Sequence, residues 1–104
     1  MTDSPHDFIR KAIASERVFL FTKGTPEAPN CGLSALVVQV LNLVGAPYGA
    51  FDVLSNDAVR EGIKQFSEWP TIPQLYVDGE FVGGCDIIRE MYESGELQTL
   101  INAE

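Results

Sequence analysis

This sequence of 104 residues lacks any uninterrupted apolar stretch near the ~20 residues that a membrane span requires, and it has few basic side chains. Seven Lys and Arg against 15 Asp and Glu give a formal net charge of −8, which repels phosphate backbones and anionic lipid surfaces. Two cysteines are too few for a disulfide framework. These deficits argue against a membrane-inserted protein, a nucleic-acid binder and a disulfide-stapled scaffold.

The amino-terminal residues show neither the basic flank and apolar core of a secretory signal nor the Arg-rich, acid-poor composition of an organelle presequence. We therefore expect a cytoplasmic protein in a reducing compartment, or one in an organelle matrix if a presequence has been removed. The length and the hydrophobic content of 45% suit one compact domain over residues 1–104.

Hydrophobic periodicity and capping residues predict the first elements of the chain. They are a helix over about 5–15 after Ser4, a strand over 18–21, a helix opened by Cys31 and ended by Gly45, a second strand over 48–53, and a helix capped by Ser55-Asn56-Asp57. Residues 25–30 contain two prolines, and this composition predicts an irregular loop.

The last third of the sequence contains a strong turn signal. Asp78-Gly79 separates the apolar runs 74–77 and 80–82, which predicts a β-hairpin. A final helix is expected from about Asp86 to Gly95. The order helix, β-α-β, linking helix, β-β-α predicts an α/β protein of thioredoxin type, with a four-stranded mixed sheet covered by helices and an extra amino-terminal helix.

Cys31 is the strongest candidate for chemistry, because it stands at the start of an amphipathic helix and follows a polar, proline-rich loop. Helix amides and the macrodipole favour its thiolate, and Lys23 can add positive charge. Ser34 occupies the position that would complete a Cys-x-x-Cys pair, so this sulfur needs a partner from outside the motif. The competing interpretation is a small buried hydrophobe.

Four further signals are weak individually. Ile72-Pro73 before a strand is either a cis peptide that exposes backbone groups to an extended ligand or a simple loop proline. Arg60 by itself is typical of a solvated charge, and Gly83-Gly84 of a bend. Cys85-Asp86 is consistent with a helix cap and nothing more. His6 is interpreted as solvated surface.

Together, five motifs in the same order resemble those of the monothiol glutaredoxins over residues 18–97. They are Lys23-Gly-Thr-Pro, Cys31-Gly-Leu-Ser34, Arg60-Glu-Gly-Ile-Lys, Trp69-Pro-Thr-Ile-Pro-Gln-Leu-Tyr76 and Gly79-Glu-Phe-Val-Gly-Gly-Cys-Asp86. The resemblance implies a thioredoxin fold with a cis Pro73, glutathione as a ligand, and a bridging [2Fe-2S] cluster in a homodimer. It also implies BolA-like proteins and apo iron-sulfur proteins as partners.

The same resemblance assigns roles to residues. Cys31 becomes the cluster ligand and the redox-active, catalytic cysteine, and glutathione binding falls on Lys23, Arg60, Ile72, Cys85 and Asp86. These residue types suit the tripeptide: two cations for its glycyl carboxylate, a carboxylate for its ammonium, and free backbone groups for its central amides. Since a [2Fe-2S] cluster usually takes four thiolates, two chains and two glutathiones supply the set.

Two positions need separate expectations. The family motif is usually Cys-Gly-Phe-Ser, and Leu33 stands where its phenylalanine is expected; we expect this to affect cluster lifetime or partner fit before ligation. Cys85 can form a disulfide with Cys31 under oxidation if their Cα atoms come within ~7 Å.

Three functions therefore compete. The first is a glutathione-ligated [2Fe-2S] carrier that delivers clusters to apo-proteins. It is favoured by the resemblance, because the loop insertion over residues 25–29 and Trp69-Pro70 look like those of the poorly reductive subgroup of the family. The second is a glutathione-dependent thiol-disulfide oxidoreductase acting on glutathionylated proteins through Cys31. The third is an interaction domain whose cysteine is inert.

Overall fold

The first apolar run of the sequence forms the central region of a mixed sheet. The computed structural model describes residues 4–102. In chain order, its elements are α1 (Pro5–Ser15), β1 (Val18–Thr22), β2 (Gly24–Thr25), β3 (Ala28–Pro29), α2 (Gly32–Val44), β4 (Gly49–Asp52), a 3-10 turn (Val53–Ser55), α3 (Asp57–Ser67), β5 (Gln74–Val77), β6 (Glu80–Gly83), α4 (Cys85–Ser94) and α5 (Glu96–Asn102).

The four long strands lie in the order β4-β1-β5-β6. Strand β1 pairs in parallel with β4 through the α2 crossover, and it pairs antiparallel with β5, which pairs antiparallel with β6. This is the predicted α/β arrangement of a parallel pair extended by a hairpin.

Every residue of β1 is buried, as its unbroken apolar sequence predicts for a strand covered on both faces. Val18 and Leu20 belong to a core cluster that includes buried residues of α2, α4 and α5. Phe19 and Phe21 belong to a second cluster with buried residues of α1 and α3. The sheet thus lies between two helical layers, one on each face of β1.

The predicted helix ends are confirmed by their caps. The Ser4 hydroxyl accepts a hydrogen bond from the Asp7 amide, and the Asn56 side chain accepts one from Val59. Gly45 and Gly95 end α2 and α4 in the left-handed conformation that glycine adopts without a Cβ clash. Local sequence therefore determines where these helices begin and end.

Several boundaries differ from the prediction. The segment expected to be an irregular loop forms the small antiparallel pair β2–β3, with Gly24 opposite Pro29. The second strand is shorter than expected, because Val53 already belongs to the 3-10 turn. The short helix α5 was not predicted, and it buries Leu97 and Ile101. These elements depend on tertiary packing more than on periodicity.

The interpretation of His6 as simple solvated surface was wrong. Its ring is only partly exposed and meets the Phe66 ring edge-on, with centroids 5.8 Å apart. This contact helps α1 to pack on α3. Among residues 4–102, no helix combines the length and the apolarity needed to cross a membrane.

Candidate functional site

Cys31 is the residue that caps the amino terminus of α2. Its backbone is extended, with φ −150° and ψ 137°, and its carbonyl accepts the first helical hydrogen bond from the Ala35 amide at 2.9 Å. The side chain is partly exposed and the thiol is free. The sulfur therefore lies at the end of the helix where unpaired amides accumulate, within reach of solvent.

This environment lowers the pKa of the Cys31 thiol. The main cause is the nearby Ser34 backbone amide, whose dipole favours the thiolate although it forms no regular capping hydrogen bond with the side chain; partial burial acts in the opposite direction. The Leu33 amide, the positive charge of Lys23 and the Ser34 hydroxyl lower the pKa further. The expectation of an inert, buried cysteine does not describe this sulfur, since both its exposure and its pKa favour the thiolate.

Ser34 is fully buried, and its Oγ accepts a hydrogen bond from the Lys23 amide at 3.1 Å. The residue that stands in place of a second thiol therefore connects the start of α2 to the end of β1. Through it, Lys23 and Cys31 are held in one local unit. From the sequence, Ser34 was noted only as the residue that replaces a second cysteine, and its structural role was not predicted.

The turn after Lys23 depends on glycine. Gly24 has φ +85°, and a Cβ at this position would lie 2.6 Å from both the Ala28 oxygen and the Asn30 nitrogen. The Asn30 amide also donates to the Lys23 carbonyl at 3.0 Å. The β2–β3 pair consequently closes tightly and leads the chain into Cys31.

A groove of about 230 Å³ lies between the start of α2, the segment before β5 and the start of α4. It is lined by residues of these three segments: Leu33, Trp69, Thr71, Ile72, Pro73, Gly84, Cys85, Asp86 and Ile87. The structure thus brings together Ile72, Cys85 and Asp86, three of the residues for which the family resemblance implies glutathione binding. Thr71 and Ile87 also line the groove, although no motif distinguished them beforehand.

The peptide bond between Ile72 and Pro73 is cis, as one of the two expectations required. The Ile72 side chain is 3% exposed and packs with the core on the α1–α3 side of the sheet. Its backbone N–H and C=O take no part in the hydrogen bonds of residues 4–102. These two groups are therefore available to an extended ligand in the groove.

Gly84 makes the floor of the groove accessible. A Cβ here would lie 3.1 Å from Trp69 Nε1 and 3.4 Å from the Pro73 carbonyl oxygen. The Trp69 ring lies beside the Phe81 ring, with centroids 6.0 Å apart, and the indole is 39% exposed. Glycine is thus favoured here by close packing against the indole, which a Cβ would have to displace slightly, and not by an unusual φ.

Cys85 is the first residue of α4 and is 8% exposed. Burial raises the pKa of its thiol, and the negative charge of Asp86 and the proximity of Cys31 raise it further, partly offset by Arg89. Both cysteines are free thiols. Asp86 is exposed in the first turn of α4, beside the groove.

Arg60 stands apart from the groove lining. It lies on α3, is partly buried, and its Nε is buried without a hydrogen-bond partner. A freely solvated arginine would not carry such an atom, so the surface interpretation of this residue does not fit its Nε. Lys23 also lies outside the lining, although its charge acts on Cys31.

Comparison with known sequences gives a consistent result. A family model described as Glutaredoxin matches residues 18–82. The chain is 50% identical over 97 residues to a probable monothiol glutaredoxin 2 of Rickettsia typhi, covering 93% of this chain and 87% of that protein. It is 54% identical over 88 residues to the chloroplastic monothiol glutaredoxin-S7 of Oryza sativa subsp. japonica, covering 85% of this chain and about half, 52%, of that longer protein.

Solved structures agree with the architecture. The solution structure of reduced poplar apo GrxS14 has a TM-score of 0.80 at 50% identity, covering 90% of this chain and 86% of the other. The crystal structure of a buckwheat glutaredoxin–glutathione complex also has a TM-score of 0.80, at 21% identity, with coverage of 97% and 94%. The second likeness supports the fold alone. The fold is the thioredoxin fold, and the chain belongs to the monothiol glutaredoxin family.

Proposed function

We propose that this protein carries a [2Fe-2S] cluster that is ligated by glutathione and by Cys31, and that it transfers the cluster to apo-proteins. The observation that carries the proposal is the single partly exposed sulfur with a lowered pKa at the start of α2. Ser34 replaces the second thiol that would close an internal disulfide. A thiolate in this position is suited to iron and needs other ligands to complete the set.

The groove provides a place for glutathione. The free backbone groups of Ile72 suit the central amides of the tripeptide, because an extended peptide pairs with such groups as a strand does. Asp86 can pair with the ammonium of the γ-glutamyl group, and the amides of Cys85 and Asp86 at the start of α4 suit its carboxylate. Cys31 itself does not line the groove, but Leu33 in the first turn of the same helix does, so the proposed position of the tripeptide has its thiol at the start of α2.

The glycyl carboxylate of glutathione requires a cation. Lys23 and Arg60 are the two candidates that the resemblance to the monothiol glutaredoxins implies, and a charge-assisted contact with either would hold this end of the ligand. The Nε of Arg60 is buried without a partner among residues 4–102, and Arg60 lies outside the groove lining, so binding of a carboxylate by its guanidinium would require the side chain to turn towards the groove. This arrangement gives every charged group of glutathione a counterpart.

A [2Fe-2S] cluster takes more thiolate ligands than one chain offers at this site, and cluster binding therefore calls for a dimer. Within residues 4–102, no three His, Cys, Asp or Glu side chains are grouped to hold a metal ion. Four thiolates are then supplied by Cys31 of two chains and by two glutathione molecules. The homodimer is the proposed assembly, and a BolA-like protein is a proposed alternative to the second chain. We further propose a reducing compartment, the cytoplasm or an organelle matrix, because a thiolate that binds iron has to stay reduced.

Anaerobic reconstitution tests this proposal. The wild-type protein is incubated with iron, sulfide and glutathione, and visible absorption and molecular mass are measured. We expect a coloured dimer, no colour for Cys31→Ser, and a dimer that depends on glutathione. Asp86→Ala should need a higher glutathione concentration, and the exposed α4 variant Glu90→Ala is its control. A colourless wild-type protein under these conditions would contradict the carrier function.

A second function is favoured by the same lowered pKa of Cys31. As an oxidoreductase, the Cys31 thiolate attacks the glutathionyl sulfur of a mixed disulfide, and the protein thiolate leaves. Free glutathione thiolate then attacks the Cys31–glutathione disulfide, releasing oxidised glutathione and the Cys31 thiolate. Brisk turnover of a glutathionylated protein by a colourless monomer would favour this enzyme, whereas slow alkylation of Cys31 with neither activity would favour an interaction domain.

A further inference from the structure

One wall of the groove is formed by a segment that belongs to no helix or strand. Residues 69–73 lie between α3, which ends at Ser67, and β5, which begins at Gln74. Most of the segment lines the groove, through Trp69, Thr71, Ile72 and Pro73. Gly84, on the facing wall, lies close to the Trp69 indole and the Pro73 carbonyl. A shift of this segment would therefore change the shape of the groove.

Gln74 holds the segment through its side chain. Its Nε2 donates one hydrogen bond to the Trp69 carbonyl oxygen at 3.1 Å and another to the Thr71 carbonyl oxygen at 3.0 Å. An amide nitrogen has two N–H donors, and both are used within this segment. Gln74 is 0% exposed, so water competes poorly with these hydrogen bonds.

Tyr76 fixes the orientation of the Gln74 carboxamide. Side chains two residues apart on a strand point to the same face, and the Tyr76 hydroxyl donates to Gln74 Oε1 at 3.3 Å. A reversed carboxamide would place its oxygen against the two carbonyl oxygens, which can only accept. The side chain of Gln74 is therefore held from both ends.

The backbone of Gln74 provides a rigid anchor for these contacts. It pairs with Phe21 of β1, and every residue of β5 is buried. The irregular wall of the groove is thus connected to a buried strand of the sheet by one side chain.

We propose that Gln74 is a positioning residue for the groove, and that its buried carboxamide holds the segment before Pro73 so that the Ile72 backbone groups face an extended tripeptide. This proposal rests on the glutathione site proposed above, and it assigns a role to a residue that does not itself line the groove. Without the two donors, the Trp69 and Thr71 carbonyls turn to water and the segment samples other positions. The fraction of molecules with a complete groove falls, and the apparent affinity falls with it.

Two variants remove the contacts in different ways. Gln74→Met keeps a side chain of similar length and volume but has no donor. Gln74→Asn keeps a carboxamide but withdraws it by one methylene from the two carbonyls. The matched control is Gln98→Met on α5, because Gln98 Nε2 also donates to a backbone carbonyl, that of Tyr92, at 3.3 Å and outside the groove lining.

The measurement is the binding of S-methylglutathione to the full chain, followed by NMR through the Trp69 indole and the Ile72 amide. The chain has one tryptophan, so the indole signal is unambiguous. We expect both Gln74 variants to raise the Kd about five- to tenfold, the scale of a lost hydrogen bond. Gln98→Met should keep the wild-type Kd. The two resonances should shift in the free Gln74 variants and stay in place in the control.

The methylated sulfur forms neither a disulfide nor an iron bond, and the sample contains no iron or sulfide, so the result is independent of cluster formation. A wild-type Kd in the Gln74 variants overturns the proposal, as does an equal loss of affinity in Gln98→Met or a wild-type protein that does not bind S-methylglutathione. The expected order of Kd values together with a colourless reconstituted protein would refute the carrier function and support the role of Gln74. If Gln74→Met fails to fold, Gln74→Asn decides, because it keeps a polar group at this position.

Discussion

The two cysteines of this protein begin two helices that face the same groove, yet their thiols differ in almost every physical property. Cys31 is the N-cap residue of α2, is partly exposed, and has a lowered pKa, chiefly because the amides of the first turn favour its thiolate. Cys85 is the first residue of α4, is buried, and has a raised pKa because burial disfavours its thiolate. A position at a helix start is therefore not sufficient for reactivity.

The difference comes from three features of the surroundings. Cys31 has solvent on one side, and Lys23 supplies a positive charge, whereas Cys85 lies in the core cluster with the negative charge of Asp86 next to it. The amides of the first turn lower the pKa of Cys31, which is the N-cap residue, but are not among the causes that act on Cys85, which is already the first helical residue. Amides, exposure and neighbouring charge together therefore separate the two thiols.

Alkylation should separate the two thiols most strongly. At neutral pH, we expect iodoacetamide to label Cys31 on the order of 100-fold faster than Cys85, because the buried thiol reacts only after local opening. Peptide mass spectrometry after timed quenching measures both rates in one sample. Comparable rates would show that the environment of Cys85 is much more open than its 8% exposure indicates.

Substitution by serine should change the free energy of unfolding much more at Cys85 than at Cys31. Cys85→Ser places a hydroxyl in an apolar cluster and should lower the free energy of unfolding by about 1–3 kcal/mol. Cys31→Ser changes a partly exposed side chain and should alter it by less than about 0.5 kcal/mol. Urea unfolding measures both values, and equal losses would contradict the assigned burial.

Neighbouring charges should shift the two thiols in opposite directions. Lys23→Gln should raise the pKa of Cys31, and Asp86→Asn should lower the pKa of Cys85, each changing the alkylation rate about two- to fivefold. The pH profile of each labelled peptide gives the result, with the exposed Glu93→Gln as a control. Two shifts of the same sign would argue against local charge as the cause.

The pH dependence of stability should also have opposite signs. A lowered pKa for Cys31 means that its ionisation adds stability as pH rises from the folded pKa to the ordinary thiol value of about 8.5. A raised pKa for Cys85 means that stability is lost above that ordinary value. Unfolding curves of Cys31→Ser and Cys85→Ser from pH 6 to about 10, each compared with wild type, should diverge accordingly.

Much of the architecture could be predicted because its signals are local. Ser4 and Asn56 cap helices, Asp78-Gly79 makes the hairpin turn, and Gly45 and Gly95 end helices, each through contacts within a few residues. The β2–β3 pair and α5 were missed because their short sequences have too few residues for a period. Their conformations are set by the neighbours on which they pack.

The site was predicted less completely. Sequence identified Cys31, and the cis bond at Pro73 was one of two alternatives. Ile72, Cys85 and Asp86 line the groove. Arg60 and Lys23 lie outside its lining. The direction in which a long charged side chain points depends on packing against other elements, which no local pattern records.

By itself, the sequence determined that one sulfur would begin an amphipathic helix without a second thiol, because adjacent residues specify a helix start and its cap. Only the tertiary structure decided that this sulfur, and not Cys85, is accessible and favours its thiolate. It also decided that Gln74 holds one wall of the groove. The burial and the neighbouring charges that set the pKa of each thiol come from residues distant in the chain. They act on the sulfur only after folding has brought these residues together.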